Sequence, residues 1–132
     1  MQDELFTEIR VTCYEPLSVA GRQRKIVMIP FGGEATGEHF RGRVTGTGVD
    51  TQTIGPDGKV TLSARYMLEG KDAAGNACRV FVENQGNGQD GFRPTIVTDS
   101  PLLQDWETAE LYATVDPTAD GVTVRIFRKR ND

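Results

Sequence analysis

The sequence predicts an all-β chain, folded as a single antiparallel β-barrel of about eight strands with one short helix. Three observations support this prediction. Short runs of β-prone residues alternate between apolar and polar positions, turn-forming residues separate these runs at hairpin spacing, and glycine occurs 15 times. Glycine weakens helices and is common at sharp turns. The 132 residues suffice for one domain with its own core, and no linker or repeat divides residues 1–132.

The N-terminal half contains the clearest strand patterns. The strands predicted there cover residues 5–14, 25–29, 39–45, 49–54 and 60–68. In the first, apolar and polar residues alternate, and Pro16 ends it because proline has no N–H for a ladder. Gly32 and Gly33 are expected to close the second strand. The turn residues Pro56-Asp57-Gly58 predict a tight hairpin between the fourth and fifth strands.

The C-terminal half continues the same pattern with shorter runs. Further strands are predicted over residues 78–83, 93–97, 110–115 and 122–128, and a turn over residues 73–76. Residues 84–91 are rich in glycine and have no apolar side chain to bury, which predicts a mobile loop. Ser100 and Pro101 predict the start of a short helix, with serine as the N-cap. Closing such a sheet removes its exposed edges, and an eight-stranded barrel is filled by side chains or holds one small ligand.

Composition argues against several classes of partner. The net charge is −4 and the one basic cluster lies at residues 125–130, so no nucleic acid is expected. No apolar run approaches the roughly 20 residues of a membrane helix, and the acidic start lacks the features of a signal peptide. A cytoplasmic protein without a membrane partner is therefore expected. Cys13 and Cys78 form no CxxC and are expected to be buried thiols.

The common catalytic and cofactor motifs are missing. His39 is the one histidine and no GxSxG is present, which argues against a serine–histidine triad. One histidine and two distant cysteines argue against zinc, so no metal is expected. Gly86, Gly88 and Gly91 have the spacing of a dinucleotide-binding loop, but they do not open a helix within a βαβ unit. No cofactor is expected.

Polar and aromatic side chains on otherwise apolar strand faces are the candidates for a site. Asp50 and Gln52 share a face of the fourth strand, Tyr66 lies on the apolar face of the fifth, and Asn84 follows the sixth. In a barrel mouth they would provide polar anchors in an apolar pocket, which is typical of small-ligand sites. The predicted catalytic residues are Asp50 and Tyr66, and the predicted ligand-binding residues are Gln52, Asn84, Arg65, Trp106 and Tyr112.

Ordinary structural roles are an open alternative for the same residues. Asp50 can cap a turn, Asn84 can bond its own loop backbone, and Tyr66 can be a core residue with a satisfied hydroxyl. Arg65 can bind a substrate carboxylate bidentately, or it can lie on a solvated strand face.

An ordered series of segments resembles a known family. The segments are residues 21–30, Gly32-Gly33, residues 40–44, Gly48-Val49-Asp50-Thr51-Gln52, Asp57-Gly58, Ala64-Arg65-Tyr66 and residues 80–86. Together they resemble the bacterial and fungal family called domain of unknown function 3237, over roughly residues 5–128. The resemblance implies a small antiparallel barrel that can close around a pocket, and it implies no general activity.

The resemblance also implies that Asp50, Gln52, Tyr66 and Asn84 occupy recurrent family positions. The chain departs from the family in two places. Many members have tryptophan where this chain has Thr51, and the pattern after Asn84 is shorter, at residues 92–94 and 98–100. Both departures are expected near the mouth, so the ligand of a relative does not transfer to this chain.

Three functions are compatible with these observations. The first is a protein that binds a modest, partly apolar aromatic or carbonyl metabolite in the barrel mouth. The second is a cofactor-independent lyase, isomerase, hydratase or cyclase, with Asp50 as general base and Tyr66 and Asn84 as hydrogen-bond donors. The third is a structural partner protein with a filled barrel. The residues leave open whether the protein is an enzyme, and a homodimer is the expected assembly.

Overall fold

The computed structural model of the chain describes residues 2–130. Within them lie nine strands and one short 3₁₀ helix, η1. The strands are β1 (Glu4–Cys13), β2 (Leu17–Ala20), β3 (Lys25–Thr36), β4 (Phe40–Ile54), β5 (Val60–Asp72), β6 (Ala77–Asn87), β7 (Gly91–Thr98), β8 (Leu111–Pro117) and β9 (Gly121–Arg128), and η1 is Gln104–Glu107. The all-β prediction is confirmed. No helix among these residues is long and apolar enough to cross a bilayer.

Eight of the strands close into an antiparallel barrel. From β3 to β9 each strand pairs with the next in the chain, β9 pairs with β1, and β1 closes the barrel on β3. The short strand β2 continues the direction of β1 after the break at Pro16, and it pairs with β3 at Leu17↔Met28 through Ala20↔Lys25. The seam between β7 and β8 is the thinnest, with the single pair Phe92↔Ala113.

Two predicted interruptions are absent from the fold. The strands predicted at 39–45 and 49–54 are one continuous strand, β4, with a bulge between Thr45 and Val49. Gly46 has φ +67° there, a left-handed conformation that favours glycine, so the chain bulges without leaving the sheet. Gly32 and Gly33 do not end β3 either, because the strand passes through them at a second irregularity, between Phe31 and Glu34.

Two further predictions of local structure are corrected, and one strand was not predicted. Most of the predicted loop at 84–91 is strand, since Asn84 to Asn87 pair with Pro94 to Gly91 and leave a tight hairpin tip. Backbone pairing there does not need apolar side chains. Ser100 is not a helix N-cap: its hydroxyl donates to Asp72 Oδ2 (2.8 Å) and the residue before η1 is Leu103. Strand β2 was not predicted, because a strand of four residues is too short to show a periodic pattern.

The barrel has two ends of different character. At one end, which we call the plugged end, the buried rings of Phe6, Phe40 and Trp106 pack together, with the Phe6 and Trp106 centroids 4.9 Å apart. Arg128 lies over the Trp106 ring at 4.0 Å and binds the carboxylate of Glu4. The opposite end, which contains Cys13, Gln52 and Leu62, has no such plug, and we call it the cavity end.

Candidate functional site

Three neighbouring strands align two polar side chains across the inner wall of the cavity end. Asp50 on β4 pairs with Ala64 on β5, and Ala64 pairs with Asn84 on β6. Residues that are directly opposite in an antiparallel sheet point to the same face. Asp50, Ala64 and Asn84 therefore form one row on the inner face, and the small side chain of Ala64 leaves space between the two polar residues.

Tyr66 lies in the next inward position of β5, and its ring is held by aromatic packing. The ring meets Phe31 edge to face, with centroids 5.3 Å apart, and Tyr66 is buried. Gly48 makes this packing possible, because a Cβ at that position would lie 2.6 Å from the Phe31 ring and 2.9 Å from the Tyr66 Cβ. The prediction that Tyr66 lies on the apolar face of β5 is confirmed.

A cavity of about 200 Å³ occupies this end of the barrel. Its lining residues are Val11, Cys13, Ile29, Phe31, Asp50, Gln52, Leu62, Ala64, Tyr66, Asn84, Phe92, Val115, Val122 and Val124. Most of these side chains are apolar, and Asp50 is the one acidic residue among them. No Lys, Arg or His is among these lining residues, so the cavity offers no cation to an anionic ligand.

Three buried polar atoms lack a hydrogen-bond partner within residues 2–130, and all three belong to residues that line this cavity. They are Asp50 Oδ1, Tyr66 OH and Asn84 Oδ1. Buried polar groups are normally paired, because an unpaired one costs about 1–3 kcal/mol. Their concentration in one apolar cavity marks it as the candidate site.

Burial raises the pKa of both ionisable side chains in the cavity. Burial of Asp50 raises its pKa, and a hydrogen bond from Gln52 Nε2 to Asp50 Oδ2 (3.1 Å) partly offsets this rise. Gln52 thus holds one carboxylate oxygen and leaves the other, Oδ1, free. Burial also raises the pKa of Tyr66, so its phenol stays protonated and can donate a hydrogen bond.

The structure thus brings together four of the predicted site residues, namely Asp50, Gln52, Tyr66 and Asn84. Asn84 was expected as a hydrogen-bond donor. The atom of Asn84 that lacks a partner is its side-chain carbonyl oxygen, which is an acceptor.

The other three predicted site residues lie elsewhere. Arg65 points to the outer face, where its Nε donates to Glu83 Oε2 at 2.7 Å. Since alternate residues of a strand face opposite sides, Arg65 cannot share the inner face with Ala64 and Tyr66. Trp106 is part of the plugged end, and Tyr112 donates its hydroxyl to Asp3 Oδ2 (2.7 Å) outside the cavity. None of the three lines the cavity.

Several lining residues were not identified from the sequence. Phe31 and Phe92 supply aromatic walls, and Val115 closes the side next to the thin β7–β8 seam. Their apolar character fits any core position, so the sequence held no signal that separated a cavity wall from a packed core. Cys13, expected to be buried, is exposed at the cavity rim, whereas Cys78 is buried as predicted.

The two departures from the family pattern lie in different parts of the barrel. Thr51 neighbours Asp50 and therefore faces the outer side of β4, where it lines a wide polar groove and not the cavity. Of the later segment, Phe92 reaches the cavity, while Ser100 binds Asp72 near the plugged end.

Across residues 2–130, no group of three or more His, Cys, Asp and Glu side chains is placed to hold a metal ion.

The fold is shared by solved structures. A protein of unknown function from Clostridium acetobutylicum matches with a TM-score of 0.80 at 23% identity, over 98% of this chain and 100% of the other. An enzyme from Penicillium herquei matches with a TM-score of 0.75 at 16% identity, over 96% of this chain and 92% of the other. At these identities the matches show the fold.

Sequence relatives identify the family. A UPF0311 protein from Clostridium acetobutylicum is 35% identical over 89 residues, which cover 64% of this chain. The matched part spans about half of that relative, 52% of its length. Residues 2–90 match the model of the family described as protein of unknown function DUF3237, so this chain belongs to that family, as the resemblance predicted.

Proposed function

We propose that this barrel binds a compact, uncharged organic molecule, with an apolar body and one or more polar groups, in the cavity lined by Asp50, Tyr66 and Asn84. The observation that carries the proposal is the set of three buried, unpartnered polar atoms around one apolar cavity. A ligand that pairs with these atoms would remove the cost of leaving them unsatisfied.

The size and polarity of the cavity define the ligand class. An engineered apolar cavity of about 150 Å³ in another protein accepts benzene. The cavity here, at about 200 Å³, has room for one ring with small substituents. Two of the unpartnered atoms, Asp50 Oδ1 and Asn84 Oδ1, are acceptors when Asp50 is ionised, and the hydroxyl of Tyr66 can donate or accept. Aromatic alcohols and small carbonyl compounds fit this pattern, whereas a carboxylate would meet the Asp50 charge without a compensating cation.

A matched series of one-ring probes tests the proposal. Phenol, acetophenone, toluene and benzoate share a ring and differ in polar group. We expect phenol and acetophenone to raise the melting temperature, toluene to raise it less, and benzoate to leave it unchanged at neutral pH. Native mass spectrometry of freshly purified protein would detect a retained cellular ligand. Equal stabilisation by benzoate and phenol would contradict the proposed polarity, and no stabilisation by any probe would contradict the pocket.

A cavity-filling variant provides the structural control. Ala64→Leu would place three additional carbons between Asp50 and Asn84, and it should abolish the response to every probe. Ala77→Leu makes the same change at an exposed position of β6, near the plugged end, and should respond like the wild type. A response that survives Ala64→Leu would place the binding site elsewhere.

The second candidate is a cofactor-independent acid–base enzyme that uses the same cavity. It is favoured by Asp50, whose Oδ1 is free while Gln52 holds Oδ2, and whose pKa is raised by burial toward the range of an effective base. Tyr66 supplies a donor for a developing oxyanion. The description of the Penicillium herquei protein as an enzyme supports testing this candidate, although that protein shares the fold at 16% identity.

Deuterium exchange separates the two candidates. In heavy water, a base at Asp50 should accelerate exchange of the methyl protons of bound acetophenone, with loss of the methyl signal in proton NMR. Asp50→Asn should abolish this acceleration while the fold remains intact. If the wild-type protein binds acetophenone without accelerating exchange, this proton-transfer role for Asp50 is wrong and the binding function stands alone.

A further inference from the structure

Strand β2 is an anomaly in an otherwise closed barrel. Among the described strands, it lies at the end of the strand order and pairs only with β3, so its other edge has no partner. Every second residue of such a strand directs its N–H and C=O toward the free side. Natural proteins protect free edges with charged side chains or proline, with bulges, with a covering loop or by keeping the edge strand short.

The side chains of β2 do not protect this edge. All four of its residues are exposed, and none is charged. Leu17 and Val19 are 68% and 64% exposed, and they share the outer face with the exposed Met28, which pairs with Leu17. The unpaired N–H and C=O groups of such an exposed apolar edge can pair with another chain, and the shortness of β2 limits how many such bonds form.

The charges on either side of β2 fit a second copy of the same chain. Glu15 precedes the strand, and Arg22, Arg24 and Lys25 follow it, all of them exposed and none with an ion pair within residues 2–130. In an antiparallel pairing of two β2 strands about a two-fold axis, the acidic start of one copy meets the basic end of the other. The pattern is thus complementary to itself, as an isologous interface requires.

We propose that two copies of this chain form a dimer by antiparallel pairing of their β2 strands. With Ser18 at the two-fold axis, Leu17 of each copy faces Val19 of the other on one continuous apolar surface. In this register Glu15 lies opposite Gly21 of the second copy, next to Arg22, and Arg24 lies across the turn from that Gly21. The paired edge is short, so the interface is expected to be small and the dimer transient. This proposal does not depend on the function of the cavity.

Sedimentation velocity over a wide range of protein concentration tests the dimer. The wild-type protein should shift from monomer to dimer as concentration rises. Leu17→Lys should raise the dissociation constant at least about tenfold, because a charged side chain within the strand blocks edge pairing. Val97→Lys is the matched control, since Val97 is 60% exposed on β7, away from this edge, and should dimerise like the wild type. Circular dichroism checks that each variant is folded.

Charge reversal tests the orientation of the two copies. Glu15→Arg should weaken the dimer, because it brings a cation of one copy close to Arg22 and Arg24 at the basic end of the other. Adding Arg22→Glu and Arg24→Glu to that variant should restore the dissociation constant to within about threefold of the wild-type value. A monomer at every concentration up to the solubility limit would overturn the proposal. So would a dimer that Leu17→Lys leaves unchanged, or a reversal that the compensating pair does not rescue.

Discussion

Removal of the Tyr66 hydroxyl should stabilise the protein and weaken its ligand at the same time. Tyr66→Phe keeps the ring, its burial and its edge-to-face contact with Phe31, whose centroid lies 5.3 Å away. It removes one polar atom, which is buried and has no hydrogen-bond partner within residues 2–130. Most substitutions of a buried tyrosine destabilise a protein, so a gain in stability would be a specific signature of an unsatisfied group.

The expected magnitudes follow from the cost of an unpaired hydroxyl. Burying such a group without a partner costs about 1–3 kcal/mol, so Tyr66→Phe should raise the free energy of unfolding by about 1 kcal/mol. For a chain of 132 residues this corresponds to a melting temperature about 4 °C higher. A ligand that pairs with the hydroxyl would lose about one hydrogen bond, and its dissociation constant should rise about fivefold to tenfold.

Two measurements and one control decide the outcome. Urea unfolding without ligand gives the change in stability, and calorimetric titration with acetophenone gives the change in affinity. Tyr14→Phe is the matched control, because Tyr14 is 52% exposed and is not among the residues that line the cavity. Both quantities should stay near their wild-type values in that control. A loss of about 1 kcal/mol or more in Tyr66→Phe would show a hydroxyl already satisfied in the free protein, and it would refute this reasoning.

Three further predictions concern charge and access. Burial raises the pKa of Asp50 above its ordinary value of 3.8. Its contribution to the free energy of unfolding is therefore fully present below pH 3.8 and is lost as pH rises through the pKa that Asp50 has in the folded protein. Urea unfolding of Asp50→Asn over the same pH range should not show that loss. The hydrogen bond from Arg128 lowers the pKa of Glu4 from 4.5 to about 2, so stability should fall as pH drops through that interval, and Glu4→Gln should flatten this fall in an acid titration followed by circular dichroism. Iodoacetamide should label Cys13 and spare the buried Cys78, and mass spectrometry of the labelled protein can show this. Saturating acetophenone should slow the labelling of Cys13, which lies at the cavity rim. An unchanged labelling rate would place the ligand away from the rim.

The sequence contained enough local information for the fold class and part of the site. Alternation along β5 placed Tyr66 on the buried face, because side chains of a strand alternate with a period of two. The same rule placed Asp50 and Gln52 together on β4. The turns at residues 56–58 and 73–76 set the two hairpins that join β4, β5 and β6. Alternation within strands and pairing across tight turns are properties of near neighbours in the chain.

The tertiary structure decided which of the candidate residues meet. Asp50 and Asn84 are brought together by two successive strand registers through Ala64, and the closure of β1 on β3 completes the wall around them. Trp106 was predicted as a ligand-binding residue, yet it packs at the opposite end of the barrel, while Phe31, which was not predicted, lines the cavity. Register and closure depend on contacts between residues far apart in the chain, and no local pattern encodes them. For the same reason, the sequence could identify polar residues on apolar faces, but only the folded barrel showed that three of their atoms share one cavity without partners.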